Sequence, residues 1–117
     1  MKTKQKVVVI VGPTAVGKSA LAVELAREFD GEIVSADSRQ VYRGLDIGTG
    51  KVTVREMRGV RHHLLSVASP RSLWSAAQYV RHAERAIKGI LRRGKLPIIV
   101  GGTGFYIDAL LGRITLP

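Results

Sequence analysis

No cysteine occurs anywhere in the 117 residues. A disulfide-stapled secreted scaffold, a cysteine-ligated zinc site and a thiol nucleophile are therefore all excluded. Long apolar runs are missing too. Val7 to Val11 is a run of five, against the roughly 18–20 residues that a bilayer-spanning helix needs. It is also short for a signal-peptide core, and a glycine-rich loop follows where a cleavage site would stand. The expectation is a cytoplasmic protein with no membrane partner. There is no internal repeat and no low-complexity tract. Acidic residues are scarce, 9 against 19 Lys and Arg, for a net charge of +10. The imbalance is local, because residues 51–95 hold eleven basic and two acidic residues. Such a block suits a polyanionic partner, nucleic acid above all, although a basic stretch is equally a solvated face.

What is present suffices for one compact domain. Hydrophobic residues make up 45% of the chain, enough for a single core at this length. Three short β-branched runs, Lys6–Val11, Glu32–Ala36 and Leu96–Val100, read as buried parallel strands, each closed by a turn signal. Helical periodicity fills the intervals. In Lys18–Phe29, residues Leu21, Ala22, Leu25, Ala26 and Phe29 share one side. In Ala76–Arg93, Val80, Ala83, Ile87, Ile90 and Leu91 form an apolar face, and Arg81, Arg85, Lys88 and Arg92 a separate stripe. A short helix after Gly104 uses Ile107, Leu110 and Leu111. Strands alternating with helices predict an α/β fold built from right-handed βαβ units. Residues 44–75 carry several glycines and give no clear reading, except that Val60–Leu65 suits a short extra strand.

One motif carries chemistry by itself. Gly12-Pro-Thr-Ala-Val-Gly17-Lys18-Ser19 fits the phosphate-binding loop pattern G-x-x-x-x-G-K-[ST], between a strand and an amphipathic helix. Glycines let backbone N–H groups converge on phosphate oxygens. The helix N-terminus adds partial positive charge, Lys18 a point charge, and Ser19 a hydroxyl for Mg²⁺. The phosphate-binding set is then Gly12, Thr14, Ala15, Val16, Gly17, Lys18 and Ser19, and the loop alone does not settle which phosphate compound it holds. The third strand runs into Gly101-Gly-Thr-Gly104 without an acid. The carboxylate near the site is instead Asp37, after the second strand. Ligands sit off the carboxyl ends of parallel strands, so Asp37 and Thr103 are expected beside the loop. A helix cap is the plainer role for either.

Three stretches together resemble one family. Gly12–Ser19, Ser35-Ala-Asp-Ser-Arg-Gln-Val-Tyr-Arg-Gly-Leu-Asp-Ile-Gly-Thr49 and Gly101-Gly-Thr-Gly-Phe-Tyr106 are similar to segments of the tRNA dimethylallyltransferases, as are Arg61-His-His-Leu64 and Arg93-Gly-Lys-Leu-Pro97. The resemblance implies transfer of a dimethylallyl group from its diphosphate to N6 of the adenine 3′ to the anticodon. It implies Asp37 as general base and Thr103 at the reacting adenine. It implies Asp37, Ser38, Arg39, Gln40 and Thr103 as tRNA contacts, and Mg²⁺ at Ser19. The partners would be the tRNA anticodon loop and dimethylallyl diphosphate, with no protein partner expected.

The chain departs from the family at Arg39, where Met is usual, and at Gly50 and Val52, where Ala and Pro are preferred. It is also shorter. The expectation is the N-terminal part of a P-loop α/β transferase domain over residues 1–117. The family's helical insertion and C-terminal half lie beyond it, the core is incomplete, and the first strand sits at an open edge. Three other readings share the loop: an adenylate isopentenyltransferase, a small-molecule kinase of shikimate-kinase type, and a non-catalytic diphosphate- or RNA-binding fragment. His62 and His63, adjacent in a strand, would face opposite ways and do not suggest a metal site. Trp74 is expected to pack rather than stack on a base.

Overall fold

The computed structural model describes residues 7–11, 15–36, 54–64, 75–101 and 104–113. In chain order these form β1 (Val8–Val11), α1 (Ala15–Phe29), β2 (Gly31–Ser35), α2 (Val54–Met57), β3 (His62–His63), α3 (Ala76–Arg92), β4 (Leu96–Gly101) and α4 (Gly104–Arg113). The four strands make one parallel sheet in the order β1-β4-β2-β3. The anticipated extra strand is thus real but only two residues long, paired with Ile33 and Val34. The four-residue helix α2 has no counterpart in the sequence reading.

The apolar runs do not alternate with polar residues because both sheet faces are covered. On one face Ile33, Ile98 and Val100 pack under Ala22, Val23 and Ala26 of α1. On the other, Val34 and Ile99 pack under α3 and α4, with Tyr79, Val80, Ala83, Ile87, Ile90, Ile107 and Leu110. The stripe expected on α1 is corrected here. Leu21 and Phe29 are 52% and 57% exposed. The buried stripe is centred near Ala22 and Val23, about 150° of helical rotation from Leu21 at 100° per residue. Phe29 sits on the last turn. Small residues at the centre let the helix axis approach the sheet closely.

Helix α3 is fixed at both ends. Ser75 opens it with a capping box: its hydroxyl accepts from the Gln78 N–H, and the Gln78 side chain accepts from the Ser75 N–H. At the other end Gly94 takes a left-handed φ of 75° and turns the chain into β4. Among the described residues, β1 has β4 on one side and no strand on the other, as expected of an open edge. No described helix is long and apolar enough to cross a membrane.

Candidate functional site

Adjacent strands β1 and β4 are followed by helices on opposite faces, α1 on one and α4 on the other. That divergence is a topological switch point, and it opens a crevice at the carboxyl ends of the two strands. Helix α1 begins there, so the first free N–H groups of a 15-residue helix point into the crevice.

The first turn of α1 contains Gly17, Lys18 and Ser19, with Gly17 exposed and the other two half-buried. Gly17 is informative because the fold does not require it. Its backbone is helical, and a Cβ built on it meets nothing within 4 Å. Glycine in a helix costs roughly 0.5–1 kcal/mol relative to alanine. A position that gains neither conformational freedom nor packing from glycine keeps room for something outside the protein. Gly17→Ala is therefore expected to raise stability by about 0.5–1 kcal/mol while weakening phosphate binding. Urea denaturation and titration with inorganic diphosphate read the two effects separately. A variant that binds diphosphate as well as the parent would dismiss the cradle.

The neighbouring strand ends are held tightly. The Ala36 N–H donates to the Val100 carbonyl at 2.8 Å. At Gly101 the approach is so close that a Cβ would lie 2.3 Å from the Ala36 carbonyl oxygen. Glycine is needed there for packing, in contrast to Gly17. On its other side β2 loses its partner after Val34, because β3 stops at His63. The Ser35 carbonyl points to that side and would be a buried orphan. The Tyr79 hydroxyl, fully buried on α3, donates to it at 2.9 Å. Thus β2 is secured by β4 on one side and by Tyr79 on the other, immediately before position 37.

Of the expected site residues, Gly12, Thr14, Asp37, Ser38, Arg39, Gln40 and Thr103 lie outside the described residues, as do Tyr42, Arg43, Asp46 and Trp74. Ala15 and Val16 open α1. The sequence reading missed Tyr79 and the contact role of Gly101. An aromatic hydroxyl in the middle of an apolar helix face was the available signal for the first.

The opposite end of the sheet carries a second polar cluster. Glu32 is the second residue of β2, and its side chain is 4% exposed. Arg93 grips it with two parallel bonds, Nε to Oε2 at 2.9 Å and Nη2 to Oε1 at 2.6 Å. His63 Nε2 donates to Oε1 at 2.7 Å, and Arg61 stands 4.0 Å away. These donors, Arg93 foremost, hold the Glu32 carboxyl down at about 2 against the opposing effect of burial. His62 Nδ1 donates to the Val60 carbonyl at 2.9 Å. Burial lowers the His62 pKa, so its ring is held neutral more strongly than a free histidine. Among the described residues no group of three His, Cys, Asp or Glu is arranged to hold a metal ion.

Comparison with known proteins agrees with this geometry. The family model for IPP transferase matches residues 40–117. A tRNA dimethylallyltransferase of Pelobacter propionicus is 62% identical over 106 residues, covering 91% of this chain and 34% of that protein. One from Oceanobacillus iheyensis is 55% identical over 108 residues, covering 92% and 34%. The crystal structure of a tRNA isopentenylpyrophosphate transferase from Bacillus halodurans superposes with a TM-score of 0.90 at 49% identity, covering 97% of this chain and 38% of that one. A eukaryotic dimethylallyltransferase acting on tRNA gives 0.89 at 38% identity, covering 96% and 28%. The chain spans about a third of the length of the curated relatives it matches.

Proposed function

The chain belongs to the IPP transferase family, and we propose that it supplies the diphosphate-binding and general-base part of an enzyme that moves a dimethylallyl group from dimethylallyl diphosphate to N6 of the adenine 3′ to a tRNA anticodon. The observation that carries the reading is the first turn of α1. Gly17 with open space over its Cα, Lys18 and Ser19 lie at the start of a helix, at the switch point of a parallel sheet.

In this reading the N6 lone pair attacks the allylic carbon bonded to the diphosphate oxygen. The carbon–oxygen bond breaks, and the diphosphate leaves with the electron pair. Lys18 and the loop N–H groups of residues 12–19 stabilise the growing negative charge on the leaving group. Asp37 accepts the N6 proton, since an aromatic amine is a poor nucleophile until its proton is drawn away. Thr103 and the segment Asp37, Ser38, Arg39 and Gln40 hold the unstacked adenine and its neighbours. Ser19 offers one hydroxyl, which fits a Mg²⁺ held mainly by substrate phosphates and water, and the ion would neutralise diphosphate charge.

The test is binding of dimethylallyl diphosphate to the 117-residue chain, followed by single-turnover transfer to bulk tRNA. Lys18→Ala is expected to weaken diphosphate binding by roughly tenfold to a hundredfold, the worth of a charge-assisted hydrogen bond. Asp37→Ala is expected to leave that binding intact and to remove whatever transfer the chain performs. Unchanged binding in Lys18→Ala would sink the assignment of the loop. ATP competing as well as dimethylallyl diphosphate would point to a kinase instead.

A further inference from the structure

We propose that the solvent face of α3 is a docking surface for the phosphate backbone of the tRNA, reaching well beyond the reacting adenine. The inference rests on the reading of tRNA as acceptor. Residues 81, 85, 88 and 92 fall within about 60° of one another at 100° per residue. Each carries a cation, each is exposed, and the buried residues Val80, Ala83, Ile87 and Ile90 lie on the opposite side of the helix. The row is about 16 Å long at 1.5 Å rise per residue.

Three features separate this row from an ordinary solvated face. The first is its self-repulsion. Arg81 with Arg85, Arg85 with Lys88, and Lys88 with Arg92 are like charges at i,i+4 or i,i+3 spacing, and each pair is unfavourable to the helix. Glu84 is the only acid on α3 and is half-buried at the side of the row. The second is the contrast with the other basic region. Around the cavity of about 410 Å³ near the start of β2, Arg58, Arg61, Arg93 and Lys95 are engaged by Glu24, Glu32 or Asp30. Among the described residues no salt bridge uses Arg81, Arg85, Lys88 or Arg92. The third is shape. A groove of about 270 Å³ runs beside the row, lined by His63, His82, Arg85, Ala86, Gly89 and Arg93.

The orientation also suits an RNA whose loop reaches the active end. Tyr79 bonds to Ser35 at the carboxyl end of β2, and Arg93 bonds to Glu32 at its amino end. Arg81 is therefore level with the crevice where α1 begins, and Arg92 with the far edge of the sheet. A stem lying along α3 from its loop would meet one cation every turn of the helix. Such contacts position the nucleic acid without reading its sequence.

The experiment is fluorescence anisotropy of labelled bulk tRNA with the 117-residue chain across a salt series. Three variants are compared with the parent: R81Q/R85Q, the quadruple R81Q/R85Q/K88Q/R92Q, and the charge-matched R27Q/R55Q on α1 and α2. All the changed side chains are exposed, and circular dichroism is to check that each variant folds. The logarithm of the affinity falls linearly with log salt, with a slope proportional to the phosphates contacted. The quadruple variant is expected to bind about tenfold or more weakly, its salt slope lowered by roughly one for each lost contact. R81Q/R85Q should show about half that change in slope and R27Q/R55Q little. If the parent binds tRNA and the row variants match R27Q/R55Q, this inference fails while the acceptor reading stands. If the parent does not bind tRNA, the row is no docking surface and this inference fails, while the acceptor reading is judged by the transfer experiment. Loss of poly-L-glutamate binding with unchanged tRNA binding would mark a surface for acidic protein and overturn the proposal.

Discussion

Gly101→Ala is expected to cost about 3 kcal/mol of stability, the upper end of what overpacking produces, and to weaken diphosphate binding with it. The added methyl would lie 2.3 Å from the Ala36 carbonyl oxygen, 2.6 Å from its carbon and 2.8 Å from its Cβ. Two of those atoms are backbone and cannot swing aside as a side-chain tip does. Relief requires β2 and β4 to part where Ala36 bonds Val100 at 2.8 Å. The strands would separate at the crevice end, which is the end where the proposed phosphate site lies. Chemical denaturation measures the loss, and a thermal scan should show a fall of roughly 10–20 °C. A change below about 1 kcal/mol would mean the two strands yield more easily than close packing allows. Gly17→Ala is the natural control, because the same methyl there meets open space.

The second large effect is expected at Glu32. Its carboxyl is held at about 2, below the ordinary 4.5. A group whose folded pKa is depressed contributes stability above its unfolded pKa and loses it as pH falls through the folded value. The window here is from 4.5 down to about 2, and the contribution at neutral pH is about 3 kcal/mol at 1.36 kcal/mol per pH unit. Glu32→Gln should remove a comparable amount at pH 7, since it strands the Arg93 guanidinium beside an uncharged, half-donating amide. It should also flatten the acid limb, so that parent and variant converge near pH 2. Urea midpoints measured from pH 7 to pH 2 test both statements. A parent whose stability is unchanged between pH 5 and pH 3 would show that the clamp contributes little.

Much of this architecture was legible in the chain. Parallel strands declared themselves as β-branched runs because both their faces are covered, and the long helix α3 declared itself through a strict apolar period. The Gly12–Ser19 motif stood out because it is defined by residue type and spacing alone and does not depend on the rest of the fold. What stayed hidden depends on contacts between distant positions. Glu32 meets His63 and Arg93 at separations of 31 and 61 residues, and a single acid at the head of a strand does not name its partners. Tyr79 was not singled out as a donor, because the carbonyl it satisfies is orphaned only by the shortness of β3. Leu21 and Phe29 misled for a related reason. Periodicity fixes which residues share a side of a helix, but the small size of Ala22 and Ala26 decides which side is pressed against the sheet.

The pairing of β1 has a consequence for the order of events during synthesis. Its partner in the sheet is β4, with Val8 opposite Ile98, 90 residues later in the chain. Among the described residues no nearer strand holds it, because β2, the next described strand, lies on the far side of β4. Closing so long a loop carries an entropic cost that must be met before the contact rewards it. Among the four described strands, the one that leads into the proposed phosphate-binding loop is thus translated first and docked last. Until Leu96–Gly101 emerges, α1 has half of its floor, and the crevice that would receive a diphosphate has one wall. Binding competence should therefore arrive abruptly, with the appearance of a segment that itself contributes no phosphate ligand.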